Sequence, residues 1–257
     1  MPLSLRKQDE QDLKTYLAGF DLFVENPQEG MQYLDGAFLR FMLTLRMVPP
    51  IPSDSKGRLL ELGANPYFLT LMLKRFHRYE LTLANFFGDG HHIDGQGRQQ
   101  ISNSAVGEEY DFKYEHFNME KAPFPYTDNE FDLVLFCEIL EHLVLDPTRP
   151  LREIHRVLKP GGSLLLTTPN VLACQNMFKL LVGRNIYDSY SDYGVYGRHN
   201  REYTPREVKS LLETCGFEIM TLIVEDIYSH SKVLLRLLKR FRPQWRDNIF
   251  VLARASV

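Results

Sequence analysis

Apolar residues recur along this chain with two different periods, and the change of period divides it. Over the first 50 residues the spacing is helical: Leu13, Tyr16, Leu17 and Phe20 share one face, as do Phe38, Phe41, Met42 and Leu45. Pro49, Pro50 and Pro52 end this region, because proline cannot continue a helix and restricts the residue before it. An apolar helix face needs a partner, so residues 1–50 are expected to pack as a helical preface on the main domain. From Arg58 onward short apolar runs take over, at 59–62, 81–84, 133–136 and 163–167. Their length and apolarity fit strands buried on both faces. Helix-like stretches at 68–75, 139–143 and 150–157 separate several of them. Such alternation predicts an α/β fold: a doubly wound, mostly parallel, Rossmann-like sheet with helices on both sides.

Beyond residue 200 the signals are local. Thr204 stands in N-cap position, Pro205 opens a helix that runs to Cys215, and Gly216 closes it. Strands at 218–224 and 248–253 follow, for about seven in one sheet. Residues 88–111 interrupt the alternation, being polar and glycine-rich where a helix would be usual; a hairpin or flexible loop is expected there. No break in composition calls for a second domain, so residues 1–257 read as one.

Charge and cysteine content narrow the partners. The 30 basic and 33 acidic side chains leave a formal net charge of -3, and no basic aromatic groove is visible, so nucleic acid is not an expected partner. The opening MPLSLRKQDEQD lacks the apolar core of a secretion signal, and no run of about 18 apolar residues exists. Cys137, Cys174 and Cys215 are widely separated, with no CxxC or Cys/His cluster of ligand spacing; no metal is expected, and a reducing cytoplasm is. His91, His92 and Asp94 have ligand chemistry but no second cluster to complete it, which favours a solvated loop. Segment 232–246 alternates leucines with lysines and arginines, the pattern of a basic amphipathic helix. Such a helix packs on its own domain or makes weak contact with a membrane surface.

In an open parallel sheet, ligands gather beyond the carboxyl ends of the strands. The first such turn reads Glu61-Leu62-Gly63-Ala64-Asn65-Pro66-Tyr67, and Gly63 allows a sharp bend with close backbone approach. The GxGxxG spacing of dinucleotide sites is absent, which disfavours a nicotinamide cofactor. More specific is Phe131-Asp132-Leu133-Val134, followed by Glu138, Glu141, His142 and Leu143, and then by Arg156-Val157-Leu158-Lys159-Pro160-Gly161-Gly162 before another strand. In these motifs, their order and their spacing, the chain resembles the class I S-adenosylmethionine-dependent methyltransferases over about residues 58–225.

The resemblance implies a seven-stranded sheet, S-adenosylmethionine as cofactor, and no metal. Residues 58–170 would form the cofactor-binding half, 171–203 an acceptor-binding insertion, and 204–257 the closing helix and strands. It implies Glu61, Gly63, Ala64 and Asn65 beside the methionine part of the cofactor, Asn85 at the ribose, and Asn118 with Met119 near the adenine. Cys137 and Glu138 would lie near the amino group. Asn85 and Asn118 depart from the acidic residues common in the family; an amide can still accept a hydrogen bond, but a weaker one than a carboxylate accepts. His142 and His199 are the candidate proton acceptors, since imidazole titrates near neutrality. Tyr187, Tyr190, Tyr193 and Tyr196 recur through 183–203, and flat rings with polar rims suit a sugar-like acceptor. The expected activity is O-methylation of a small molecule or glycan. The alternatives are N-methylation of a small molecule and an inactive cofactor- or partner-binding module.

Overall fold

The computed structural model describes residues 7–22, 26–51, 56–88, 95–187, 194–228 and 239–256. The preface forms two helices, α1 (Lys7–Ala18) and α2 (Pro27–Met47). Asn26 caps α2 by accepting a hydrogen bond from the Glu29 amide, and Pro27 supplies the helical φ at its first turn. Leu13, Leu17, Leu34, Met42 and Leu45 are buried against α3 (Phe68–Phe76) and one face of the sheet, so the preface is part of the main core.

The strands are β1 (Arg58–Leu62), β2 (Glu80–Asn85), β3 (Gly95–Asn103), β4 (Glu108–His116), β5 (Phe131–Cys137), β6 (Leu158–Pro169), β7 (Phe217–Glu225) and β8 (Asn248–Ala255). They lie in the order β3-β4-β2-β1-β5-β6-β8-β7. The five central strands from β4 to β6 are parallel; β3 pairs antiparallel to β4, and β8 antiparallel to both β6 and β7. On the second face α4 (Thr148–Val157) and α6 (Pro205–Thr214) bury Leu151, Ile154, Val208 and Leu212 on Leu60, Val134 and Leu164. Helices therefore cover both faces, as a doubly wound sheet requires. Thr204 and Glu207 form a reciprocal capping box at the start of α6. A short helix α5 (Cys174–Leu181) follows β6.

The sheet departs from the sequence expectation in strand number: among the described residues it has eight strands, not seven. The extra one arises in the glycine-rich stretch, where β3 and β4 form a hairpin in continuous register from Gly95 opposite His116 to Asn103 opposite Glu108. The expected helix over 139–143 is instead a single 3-10 turn, Leu140–His142. Glu138 has φ of 54°, so the chain leaves β5 through a left-handed residue and cannot run straight into an α-helix.

The basic segment 232–246 overlaps residues 229–238, which lie outside the described residues. In its described part the helix does not continue to 246: a helical turn at 239–241 stops ahead of Pro243, and Pro243–Trp245 is a 3-10 turn. Lys239 is buried between Asp226 (2.6 Å) and Asp247 (2.8 Å), which ties this segment to its own domain. No helix among the described residues is long and apolar enough to cross a membrane.

Candidate functional site

The carboxyl ends of β1, β2 and β5 meet at the turn after β1. Gly63 has φ of 68°, and its amide and that of Ala64 both donate to the Ala84 carbonyl, at 2.8 and 3.2 Å. The turn is thereby tied to the end of β2. Asn85 ends β2, as expected, but lines neither of the two hollows described below, and its amide group is engaged in shaping this turn. Its Oδ1 accepts from the Asn65 amide (2.8 Å), and its Nδ2 donates to the Tyr67 hydroxyl (3.0 Å). Tyr67 also has φ of 68°, a conformation that costs a side-chain-bearing residue about 1–2 kcal/mol. Burial and a stack on Phe112, with ring centroids 5.1 Å apart, hold it there.

Beside the turn lies a cavity of about 210 Å³. Glu61, Gly63, Ala64, Asn65, Cys137 and Glu138 line it, which brings together six of the predicted site residues. α2 closes it with Tyr33, Arg40, Phe41 and Thr44, residues not foreseen as part of a site. A cation set within Phe38-Leu39-Arg40-Phe41-Met42-Leu43 was the available signal, since an isolated charge in an apolar helical stretch asks for a buried partner.

That cavity holds opposite charges at its walls. Glu61 is buried and accepts from the Thr70 hydroxyl at 2.7 Å; burial pushes its carboxyl up to about 8, against the pull of that hydrogen bond. The Arg40 guanidinium donates to Glu138 Oε2 at 2.9 Å and to the Tyr33 hydroxyl at 3.3 Å. Glu138 Oε1 accepts from Thr167 Oγ1 (2.8 Å) and Asn248 Nδ2 (2.9 Å), so its carboxylate is saturated. Burial pushes the Cys137 thiol up to about 12, which keeps it a neutral wall of the site.

A second hollow, about 160 Å³, shares Gly63, Glu138 and Ile139 with the first. Its remaining walls include Phe86, Asn118, Met119, His142 and Tyr196. Phe86 and Tyr196 meet edge to face at 5.0 Å, and Tyr196 accepts from Asn118 Nδ2 at 3.0 Å. Asn118 Oδ1 accepts from the Glu120 amide at 2.9 Å. The Glu120 carboxylate accepts from the amides of Val144 and Leu145, at 3.0 and 2.6 Å, and is thus committed to holding the loop after β5.

His142 and His199, 57 positions apart in the chain, stand together with ring centroids 5.0 Å apart. His142 Nδ1 lies 2.9 Å from the Arg198 carbonyl, and His199 Nδ1 lies 3.1 Å from a Glu202 carboxylate oxygen. Asn200 fastens the two segments by donating its side-chain amide to the His142 carbonyl at 2.9 Å. Of the tyrosine-rich segment, Tyr196 enters the second hollow and Tyr187 is exposed; Tyr190 and Tyr193 lie outside the described residues, as do His91, His92 and Asp94.

Both the sequence and the fold have counterparts among known proteins. A family model described as a methyltransferase domain matches residues 31–222. A probable S-adenosylmethionine-dependent methyltransferase of Mycolicibacterium smegmatis is 34% identical over 104 residues, covering 40% of this chain and 34% of that protein. A glycine/sarcosine/dimethylglycine N-methyltransferase of Actinopolyspora halophila is 29% identical over 209 residues, covering 74% of this chain and 36% of its own. A ubiquinone/menaquinone biosynthesis C-methyltransferase of Vibrio cholerae is 28% identical over 177 residues, covering 64% of this chain and 65% of its own. This chain thus spans between 34% and 65% of the length of these curated relatives. Among solved structures, a chain of the Haloferax volcanii complex between the Trm112 methyltransferase activator and a methyltransferase superposes with a TM-score of 0.57. That match has 13% identity and covers 99% of this chain and 100% of the other. An S-adenosylmethionine-dependent methyltransferase of Thermotoga maritima gives a TM-score of 0.53 at 14% identity, covering 91% of this chain and 99% of the other. At these identities the structural likeness concerns the fold alone.

Proposed function

This chain belongs to the S-adenosylmethionine-dependent methyltransferase family, and on that premise we propose that it moves the cofactor's methyl group onto a hydroxyl of a small or carbohydrate-like acceptor. The observation that carries the hydroxyl reading is the pairing of His199 with Glu202 beside His142. A carboxylate on Nδ1 fixes an imidazole's ring orientation and tautomer, so that Nε2 carries the lone pair that can take a proton. A hydroxyl must lose its proton on methylation, whereas an amine that is already neutral needs no such group.

The residues present fit the cofactor. Its amino-acid end carries an ammonium and a carboxylate, and the first cavity offers the Glu61 carboxyl and the Arg40 guanidinium to them. Its nucleoside end is flat and partly apolar, and the second hollow offers Phe86, Tyr196 and the Asn118 amide. When bound, the cofactor supplies a methyl group on a positively charged sulfur, a leaving group good enough to need no covalent intermediate. The chain's own residues orient both ends, exclude water with Ile139 and α2, and receive the acceptor's proton at His199.

Two substitutions separate these roles. Arg40→Met should weaken cofactor binding by about 10–100-fold, the worth of a hydrogen bond to a charged group, and Arg40→Lys should restore part of it. Calorimetry reads both, and full affinity in Arg40→Met removes Arg40 from the site. His199→Ala should lower the transfer rate by about 10²–10⁴-fold with cofactor affinity intact. A screen of sugars, small alcohols and amines, followed by release of S-adenosylhomocysteine, tests the acceptor class; turnover on amines alone overturns the hydroxyl reading.

A further inference from the structure

Three side chains converge at the junction of the β5 turn and the segment before α6: Glu141, His142 and His199. One ligand atom from each lies within 4.8 Å of the others. Glu141 is fully buried, at 0% exposure. Its Oε2 accepts from the Thr168 hydroxyl at 2.9 Å, whereas Oε1, equally buried, has no hydrogen-bond donor. His142 Nε2 is 4.0 Å from that oxygen, beyond hydrogen-bond range. A buried carboxyl oxygen without a hydrogen-bond partner is costly, and a cation beside it removes the cost.

The outer atoms of this group are arranged as they are around metal ions. A carbonyl only accepts, so the Arg198 oxygen at 2.9 Å places the proton of His142 on Nδ1 and the lone pair on Nε2. Glu202, at 3.1 Å from Nδ1, does the same for His199, and Asn176 Nδ2 holds the other Glu202 oxygen at 2.8 Å. A carboxylate or carbonyl on the far nitrogen of each histidine, and a fixed carboxylate, form the usual support of a metal-binding set. Ligands about 2.1 Å from one ion stand roughly 3–4 Å apart, so small side-chain movements close the site.

We propose that Glu141, His142 and His199 bind one divalent transition-metal ion. Two imidazoles and one carboxylate suit Zn²⁺, Co²⁺ or Mn²⁺, and three protein ligands leave a position open. His142 also lines the second hollow, which shares Gly63, Glu138 and Ile139 with the first, so the ion would stand at the edge of the cofactor site. With His199 Nε2 on the ion, the ion replaces that nitrogen in handling the acceptor's proton: it would orient an acceptor oxygen and lower the pKa of its hydroxyl, whose proton then passes to solvent. Binding of the ion stands on the ligand geometry alone; its action on an acceptor rests on the proposed transfer to oxygen. Spacing along the chain pointed to no metal because one ligand is 57 residues from its neighbour in space.

The test uses the full chain, stripped with EDTA and titrated with Co²⁺ by visible absorption and with Zn²⁺ and Mn²⁺ by calorimetry. S-adenosylmethionine binding is measured in parallel. One equivalent should bind per chain, with Co²⁺ bands of a nitrogen- and oxygen-ligated ion. Glu141→Gln and His199→Ala should each weaken binding by at least about 100-fold, and Glu202→Gln by about 10–100-fold. A His91→Ala/His92→Ala double variant should bind as the unaltered chain does. Absence of stoichiometric binding, binding that survives both ligand substitutions, or binding lost with His91 and His92 overturns the proposal. If both ligand variants fail to fold, the titration of the unaltered chain with that of Glu202→Gln decides. Metal binding without cofactor binding would leave the site standing and sink the methyltransferase reading. Undiminished oxygen methylation in EDTA would sink the ion's action on the acceptor.

Discussion

Gly63→Val should abolish S-adenosylmethionine binding in a chain that still folds. Gly63 has φ of 68°, a region that β-branched residues rarely enter. A Cβ built there falls 3.1 Å from Ile139 Cδ1 and 3.4 Å from Ile139 Cγ1, so even one added carbon presses on the residue between the two hollows. The γ-methyls of valine then enter the space where those hollows join. The left-handed backbone costs about 1–2 kcal/mol in free and bound chain alike and so lowers stability, whereas the blocked junction lowers affinity, by at least about 100-fold. Gly63→Ala should fall between, since Ile139 need only shift slightly. Calorimetry, with circular dichroism to verify folding, measures both; a folded Gly63→Val protein of unchanged affinity would remove the β1 turn from the cofactor site.

Glu61→Gln should move stability and cofactor affinity in opposite directions. The buried Glu61 carboxyl is pushed up to about 8 from an ordinary 4.5, so the folded chain keeps a proton that the unfolded chain releases. The stabilisation from that raised pKa is complete below about pH 4.5 and is lost as pH rises towards 8. The ligand-free chain should therefore lose on the order of a few kcal/mol across that window, a loss the uncharged glutamine does not share. Urea unfolding between pH 5 and 9 should show Glu61→Gln more stable at the alkaline end; a parallel pair of curves refutes the buried acid. Cofactor binding answers differently. The complex holds one proton between the ammonium and the carboxylate, and an α-amino group titrates at roughly 7.7–8.0. Affinity should thus peak near pH 8, where one proton is available for the pair. In Glu61→Gln it should drop by about 10–100-fold and lose its acid limb.

The alternation of apolar runs located β1, β2, β5 and β6 because strands buried on both faces carry little else. It was blind to β3, whose Gly95-Gln96-Gly97-Arg98-Gln99-Gln100 has no apolar position; only Ile101 and Asn103 of this strand are buried. An edge strand of this kind is held by its hairpin partner rather than by its own periodicity. Glu138-Ile139-Leu140-Glu141-His142 has helical spacing, and only the positive φ of Glu138 turns it into a single 3-10 turn. In the site, local motifs located Glu61 to Asn65 and Cys137 to Glu138. Arg40 stayed hidden because its partner Glu138 is 98 residues away in sequence. Tyr67 stayed hidden too, since nothing local announces a tyrosine in a left-handed conformation, and with it the engagement of Asn85.

The bond from Arg40 to Glu138 joins the preface to the far end of the central strand, across the cavity itself. One wall of the ligand site is therefore a helix pair that comes from outside the alternating unit. Any ligand that touches α2 and the β1 turn together adds its binding energy to the docking of that pair. By linkage, a cofactor present at 100 times its dissociation constant makes detachment of the preface harder by about 2.7 kcal/mol. The same relation works in reverse: whatever loosens α1 and α2 lowers cofactor affinity without altering a residue of the sheet. The preface thereby acts as a thermodynamic clasp, held most firmly by a loaded site.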